Sequence, residues 1–366
     1  MFANYNFRRY NFILVLLCVG ISVLGILFIG SANADYVQRQ KEGLFLGIAA
    51  MLILSLFNYN FILKFYWLIY PLAVVLLVLV RLFGDSGGGA QRWFEFGGFR
   101  FQPSEIVKIM LILFYAQFIM RHEDTLNTVR IILLSVVFII PPFVLIFKQP
   151  DLSTSIMIIA IFCVVMFLGG LNWKVILGAV LVGVPSFILG LRYIMQDNVD
   201  ILGDYQKNRI LAWLYPEEYA TREAYQTLNA ITAIGSGQLT GKGLNNNVIA
   251  SVKNGNFISE AQTDFIFAVV GEEMGFVGSC TVIGLLFLIA ITCMIIARRA
   301  KDTAGEIIAG GMGGLIGIQT FVNIGVVTGL LPNTGLTLPF VSYGQTSLIS
   351  LFIGIGIVLN VGLQSQ

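Results

Sequence analysis

Long apolar runs separated by short polar intervals recur along the chain from residue 11 to residue 363. Most are close to the ~20 apolar residues needed to cross a hydrocarbon core of ~30 Å. The pattern predicts ten transmembrane helices, over 11–30, 43–58, 62–83, 104–120, 129–147, 152–170, 173–192, 264–297, 305–330 and 344–363, the second being short. The expected fold class is therefore an all-α polytopic membrane protein, one domain over 1–366. It has a large loop between spans seven and eight, over 193–263. Arg8 and Arg9 ahead of the first run, with "SANA" at 31–34 behind it, resemble a signal peptide. The run 12–30 is 19 residues long, beyond the ~7–15 of a signal core, so it reads as the first span.

An even number of spans puts both termini on one side. The intervals on that side carry Arg8, Arg9, Lys64, Arg121, Arg130, Lys174, Arg298, Arg299 and Lys301. Short Lys/Arg-rich intervals stay in the cytoplasm, which places both termini there and the loops 84–103 and 193–263 outside. Within the long loop, "YQKNRILAWLYPEEY" carries an apolar cluster stopped by Pro216. "REAYQTLNAITAIG" puts Ala224, Leu228, Ile231 and Ile234 on one helical face, with Gly235 as its C-cap. Both read as short amphipathic helices lying on the membrane surface.

Composition agrees. Of 366 residues, 57% are hydrophobic and 11% charged, against ~25% charged in soluble domains. The net charge of +2 comes without a basic tail or basic–aromatic stripe, so nucleic acid is not an expected partner. The four cysteines lie inside apolar runs with no C-x-x-C, which argues for packing rather than disulfides or a metal cluster. The single histidine, His122, sits in the charged interval "RHEDT", away from any triad-like constellation.

Ionisable groups at membrane depth are functional candidates. In "FQPSEIVKIMLILF", Glu105 and Lys108 stand at i, i+3 on one face of a helix that starts at Pro103. They form either an interfacial pair that snorkels to the headgroups or a buried charge site opening into an outer cavity. Asp151 in "KQPDLSTS" is either a helix cap or a site residue. "AIGSGQLTGKGLNNN" suggests a phosphate loop around Lys242. It fails on spacing, because Ser236 stands where the first glycine belongs and Gly243 where Ser or Thr belongs. A loop that approaches a headgroup closely through its glycines remains open. "PNTGLTLPFVSYGQTS" (332–347) puts two prolines, glycines and hydroxyls between two spans, as a plain turn or as irregular backbone lining a wet cavity. Ser342 and Tyr343 there, with Asp151 and Lys242, are the candidate substrate-binding residues.

"SEAQTDFIFAVVGEE" (259–273) brings three acids into an apolar run. Counting ~20 residues back from Arg298 and Arg299 reaches about Gly275–Gly278, so Glu272 and Glu273 fall near the outer headgroups and Asp264 further out. On a continuous helix, Glu272 and Glu273 point about 100° apart, and only Glu272 shares a face with Asp264. Gly271, Gly275 and Gly278 offer places to bend. An acid at the outer lip is suited to act on a lipid headgroup. Glu272 is a candidate to support Asp264, and Glu273 is structural.

These motifs resemble the SEDS family, the RodA/FtsW/SpoVE proteins of bacterial cell-wall synthesis. The likeness runs through "QPSEIVK" (102–108), "KQPDLST" (148–154), "AWLYPEEY…YQ…AIGSGQLTGKGL" (212–244), "TDFIFAVVGEEMGFVG" (263–278) and "TGLLPNTGLTLPFVSYGQTS" (328–347). The resemblance implies a glycosyltransferase that polymerises lipid II into a nascent glycan strand at the outer face of the bacterial cytoplasmic membrane. A class B penicillin-binding transpeptidase is the implied partner. The wording leans towards the RodA-like, cell-elongation branch, with a division- or sporulation-type FtsW/SpoVE-like role as the alternative. It maps the family's essential aspartate onto Asp264 and its polar site residues onto Glu105, Lys108 and Asp151. The chain departs from the family pattern at Ser259 and Gln262, where the family often has Pro-Glu-x-His before Thr-Asp, at Gln345 in "SYGQ", and at Gln238 in "GSGQL".

An α-linked donor that gives a β-linkage implies inversion. The expected chemistry is one base, Asp264, with Lys108 stabilising the leaving pyrophosphate or holding Asp264 ionised, and Glu105 orienting Lys108. Ligation of a divalent cation, Mg²⁺ or Mn²⁺, by Asp264 is the alternative use of that carboxylate. A lipid flippase would instead spread polar residues through the midplane of several spans. Here they gather at the outer ends. A scaffold that only recruits a transpeptidase would leave the acids unexplained.

Overall fold

The computed structural model describes residues 5, 7–87, 90–96, 99–149, 151–194, 204–221, 224–244, 257–259 and 261–365. Its helices are α1 Phe12–Ala32, α2 Val37–Leu56, α3 Tyr59–Leu63, α4 Tyr66–Phe83, α5 Pro103–Arg121, α6 Val129–Phe147 and α7 Leu152–Leu168. They continue with α8 Trp173–Ile194, α9 Asp204–Leu214, α10 Tyr225–Ser236, α11 Ile266–Arg298, α12 Thr303–Val327 and α13 Gln345–Leu363. Seven of these (α1, α4, α5, α6, α11, α12 and α13) are long and apolar enough to cross a membrane by length and composition. The chain is a multi-pass membrane protein. The count is below the expected ten for three reasons. Helix α7 is a shorter apolar helix, α8 contributes only its 173–183 portion, and α2 begins at Val37 with polar turns ahead of its apolar run.

The centre of the bundle is α5, α12 and α13. Their apolar windows are 89%, 67% and 83% buried, against 17% for α4 and 22% for α6, which face outward. Helix α2 lies along α13 through small residues. The Gly47 Cα sits against the Phe352 ring, and Gly356 against the Met51 backbone, so any side chain there would hold the helices apart. The polar start of α2 has a local purpose: Gln40 donates to Ser342 O (3.1 Å) and accepts from Gly344 N (3.1 Å).

The 84–103 interval is not a bare loop. It folds into a three-stranded antiparallel sheet, β1 Asp85–Gly87, β2 Ala90–Phe96 and β3 Phe99–Phe101, with Phe94 opposite Phe101 and Glu95 opposite Arg100. The fold is thus helical with one small sheet. Its sequence signal was the aromatic-rich "RWFEF" and "FRF", residue types favoured on a pleated surface. Thr346 Oγ1 donates to Arg100 O (2.7 Å) and accepts from Gln102 N (3.3 Å), which ties the sheet to the start of α13.

Helix α11 breaks at Gly275, whose φ of 64° and ψ of −160° are open only to glycine. The break removes the bonds that Phe276 N and Val277 N would make four residues back. The segment after α10 replaces them. Phe276 N donates to Gln238 O (2.8 Å) and Val277 N to Leu239 O (3.2 Å), while Lys242 N donates to Glu272 O (3.0 Å) and Gly243 N to Glu273 O (2.9 Å). This is backbone against backbone: a Cβ on Gly241 would lie 2.1 Å from Glu273 O, and one on Gly237 1.9 Å from Gly271 O. Gly237 and Gly241, two of the glycines that suggested a phosphate loop, are here because two main chains touch.

Two substitutions separate contact from conformation. Gly241 (φ 80°) and Gly243 (φ 91°) share a left-handed backbone, but a Cβ at 243 meets nothing within 4 Å. Gly243→Ala should cost about 1–2 kcal/mol of backbone strain. Gly241→Ala should cost several kcal/mol more, since it also opens backbone hydrogen bonds. Thermal melting in detergent reads the difference; equal losses would show that the 241 contact is unimportant.

Candidate functional site

Asp264 lies in the turn 261–265 that precedes α11, not on the helix. The angular relation expected between Asp264 and Glu272 on one continuous helix therefore does not arise. The turn is zipped to the irregular segment before α13. Tyr343 N donates to Gln262 O (2.9 Å), and Ser342 Oγ donates to Thr263 O (2.6 Å) while accepting from Leu338 N (2.7 Å). Asn323 of α12, 1% exposed, donates to both Asp264 O (2.9 Å) and Leu336 O (2.6 Å). Phe340 holds a left-handed φ of 62° and is buried edge-on against Phe352. Strain of this kind persists only where the surroundings over-determine it.

The Asp264 carboxylate reaches the space beside Gly335. A Cβ built there would stand 3.2 Å from Asp264 Oδ2 and 3.8 Å from Arg209 Nη1. Gly335 has φ 78°, so a side chain would be strained as well as crowded. Arg209 comes from α9 and donates to Asn333 O (3.4 Å). The site thus joins a half-buried carboxylate and a guanidinium over a bare glycine. Beside them, buried side-chain oxygens of Asn333 and Thr334 have no hydrogen-bond partner among the described residues. An unsatisfied buried oxygen costs ~1–3 kcal/mol, so these atoms suit a donor arriving with a ligand or water.

The segment is held from beneath. Ser153 Oγ donates to Thr334 O, and Ser153 sits in the first turn of α7, which Asp151 caps by accepting from Thr154 N (3.0 Å). Gln319 of α12 donates to Thr337 O (3.0 Å) and accepts from Lys108 Nζ (3.2 Å), which also donates to Glu105 Oε1 (2.9 Å). Lys108 is 1% exposed, so the pair does not snorkel. Lys108 meets Glu105 and Gln319, and Gln319 links the pair to the segment at Thr337.

The other acids are used elsewhere. Glu272 pairs with Lys242 (2.8 Å), and Glu273 accepts from Ser31 Oγ of α1. Both sit at the break in α11, so Lys242 and Glu272 belong to the joint that carries the Asp264 turn. Tyr343 packs against Tyr36, with ring centroids 4.4 Å apart and the planes tilted by 50°. Burial pushes its phenol above the ordinary value, against the opposing pull of Arg39. Gln345, one of the departures from the family pattern, donates to Arg39 O (2.9 Å) and so staples α2 to α13. Among the described residues no group of three or more His, Cys, Asp or Glu gathers as a metal site. A divalent ion at Asp264 would draw its other ligands from water and substrate phosphate.

Sequence reasoning passed over Arg209, Gln319, Asn323 and Asn333. The first lay in a segment noted only for its apolar residues. Gln319 and Asn323 had a readable signal, two amides at i, i+4 in the run "GIQTFVNIG".

The family model described as "Cell cycle protein", covering FtsW, RodA and SpoVE, matches residues 9–366. The peptidoglycan glycosyltransferase MrdB of Escherichia coli K12 is 36% identical over 353 residues, 95% of this chain and 92% of that protein. A probable peptidoglycan glycosyltransferase FtsW of Geobacter metallireducens is 33% identical over 394 residues, 99% of each. Among solved structures, a chain from work on the structural coordination of polymerization and crosslinking by a peptidoglycan synthase complex superposes with TM-score 0.81 at 29% identity, covering 96% of this chain and 97% of that one. The rod shape determining protein RodA of Thermus thermophilus superposes with TM-score 0.70 at 27% identity, over 96% of each. The chain belongs to the FtsW/RodA/SpoVE family.

Proposed function

We propose that this chain is a peptidoglycan glycosyltransferase that polymerises lipid II, with inversion, at the outer face of the bacterial cytoplasmic membrane. The observation that carries the reading is the convergence of Asp264 and Arg209 over Gly335. Chain growth needs a base for the attacking sugar hydroxyl and a cation for the departing pyrophosphate. Asp264 takes the proton from the hydroxyl, whose oxygen bonds to the anomeric carbon as the bond to pyrophosphate breaks on the opposite face. Arg209 meets the charge that develops on the leaving oxygen. Asp151, Ser342 and Tyr343 form the frame against which the sugar is seated. Glu105 and Lys108 act on this frame through Gln319 as positioning residues.

The full topology belongs to the same proposal: ten crossings, α2, α7 and α8 included, with both termini cytoplasmic and the loop 193–263 outside. A partner of the class B penicillin-binding transpeptidase type is consistent with the complex in which the structural neighbour was solved. MrdB and RodA among the relatives favour a part in cell elongation.

Asp264→Asn keeps the shape and removes the base. In a polymerisation assay with purified protein and lipid II, it should lower the rate of glycan formation by ~10²–10⁴. A near wild-type rate would overturn both the base and the metal-ligand roles of Asp264. Lys108→Met strands Glu105 in the interior and should cost about 3–5 kcal/mol. Adding Glu105→Met should restore most of the melting temperature while kcat stays low and KM stays near wild type. Recovery of kcat along with stability would reduce the pair to a structural role.

A further inference from the structure

A base can act only if its distance from the rest of its site is held. For Asp264 that other side is the irregular segment at Gly335, where a Cβ would stand 3.2 Å from Asp264 Oδ2. The two sides belong to separate stretches of chain, and each is anchored to neighbours of its own. Thr334 O accepts from Ser153 Oγ, and Thr337 O from Gln319 Nε2 (3.0 Å). Gln262 O accepts from Tyr343 N (2.9 Å), and Ser342 Oγ bridges Thr263 O to Leu338 N, two residues beyond Leu336. Asn323 of α12 closes the gap at the site itself. Its Nδ2 donates to Asp264 O (2.9 Å) and to Leu336 O (2.6 Å), and Leu336 is the residue next to Gly335. A primary amide carries two donors on one nitrogen, so a single atom sets the spacing of the two main chains.

Stability does not account for an amide at this position. Asn is a weak helix former, and Asn323 lies inside α12 at 1% exposure. Its Oδ1 has no hydrogen-bond partner among the described residues, which is a cost to the folded state. The amide cannot turn to relieve it, because both of its contacts are carbonyls, and carbonyls only accept. We infer that Asn323 is a positioning residue for glycosyl transfer. It holds the main chain of the base at a fixed distance from the 335 segment, and so sets where the carboxylate meets the sugar hydroxyl. Aspartate has a short side chain, so its carboxylate follows its main chain. Gln319, one turn earlier on α12, grips Thr337 in the same way, but Asn323 grips the residue that carries the base. The inference rests on the reading of Asp264 as that base.

The test combines variants of Asn323 with Asp264→Asn in full-length protein, assayed for polymerisation of lipid II. Asn323→Leu keeps the branched shape and removes both donors. It leaves two carbonyls unmet, so it should lower the melting temperature along with the rate. Asn323→Ser leaves room for a water, which can meet both carbonyls without fixing their spacing. It should melt close to wild type yet lose kcat about 10²-fold, the scale of a 1 Å misplacement, with KM little changed. Because Asn323 acts through the base, Asn323→Ser should cost nothing further when added to Asp264→Asn. A merely structural residue would lower the residual rate there by the same factor. That equal loss in both backgrounds, or a wild-type kcat in Asn323→Ser, overturns the inference. A near wild-type rate for Asp264→Asn alone would instead overturn the base reading, and the role of Asn323 through that base with it.

Discussion

The structure turns on a helix that is broken and repaired by another segment. In a bilayer an unpaired backbone group costs several kcal/mol, so a membrane helix cannot simply bend. At Gly275 the lost pairs are made good by Gln238, Leu239, Lys242 and Gly243, which approach only because glycines stand on both sides. The exchange locks α10 and its following turn onto α11. Helices α9 and α10 together line a pocket with the 329–333 turn, and the turn with Asp264 leads directly into α11. The placement of the carboxylate relative to Arg209 thus depends on a contact that contains neither residue.

The same constraint explains the buried amides. The segment 328–344 is irregular, and its carbonyls must be met from the side. Ser153, Gln319, Asn323 and Ser342 supply the donors or bridge to the neighbouring turn. The buried Lys108–Glu105 pair keeps Gln319 oriented so that its amide faces Thr337. A charged pair in this position is a weak source of stability and a strong source of orientation. The side-chain oxygens of Asn333 and Thr334 fall outside this repair, at the edge of the Asp264 site.

Much of the site was legible one motif at a time. The i, i+3 spacing of Glu105 and Lys108 foretold their ion pair, and the position of Asp151 before an apolar run foretold a cap. The three acids of 264–273 were separable, but for a different reason from the one the helical angles supplied. Asp264 precedes the helix, and the kink gives each glutamate its own partner on another element. Gly237 and Gly241 were visible without their purpose, because a close approach of two main chains leaves no trace in either stretch alone. Arg209 was invisible as a site residue, since nothing in "KNRILAW" says that it faces residue 335.

What the sequence determined by itself was the membrane class and the order of the apolar runs. Those follow from local quantities, run length and hydropathy, whereas the choice of Asp264 among the acids leaned on the resemblance to the family. Tertiary structure alone decided the long-range partners. Lys108 turned inward to Gln319, Lys242 turned to Glu272, and Arg209 came to the same glycine, Gly335, as the Asp264 carboxylate. Each pairing joins residues 30 or more positions apart, and a one-dimensional pattern carries no information about a contact whose two halves are set by the packing of separate helices.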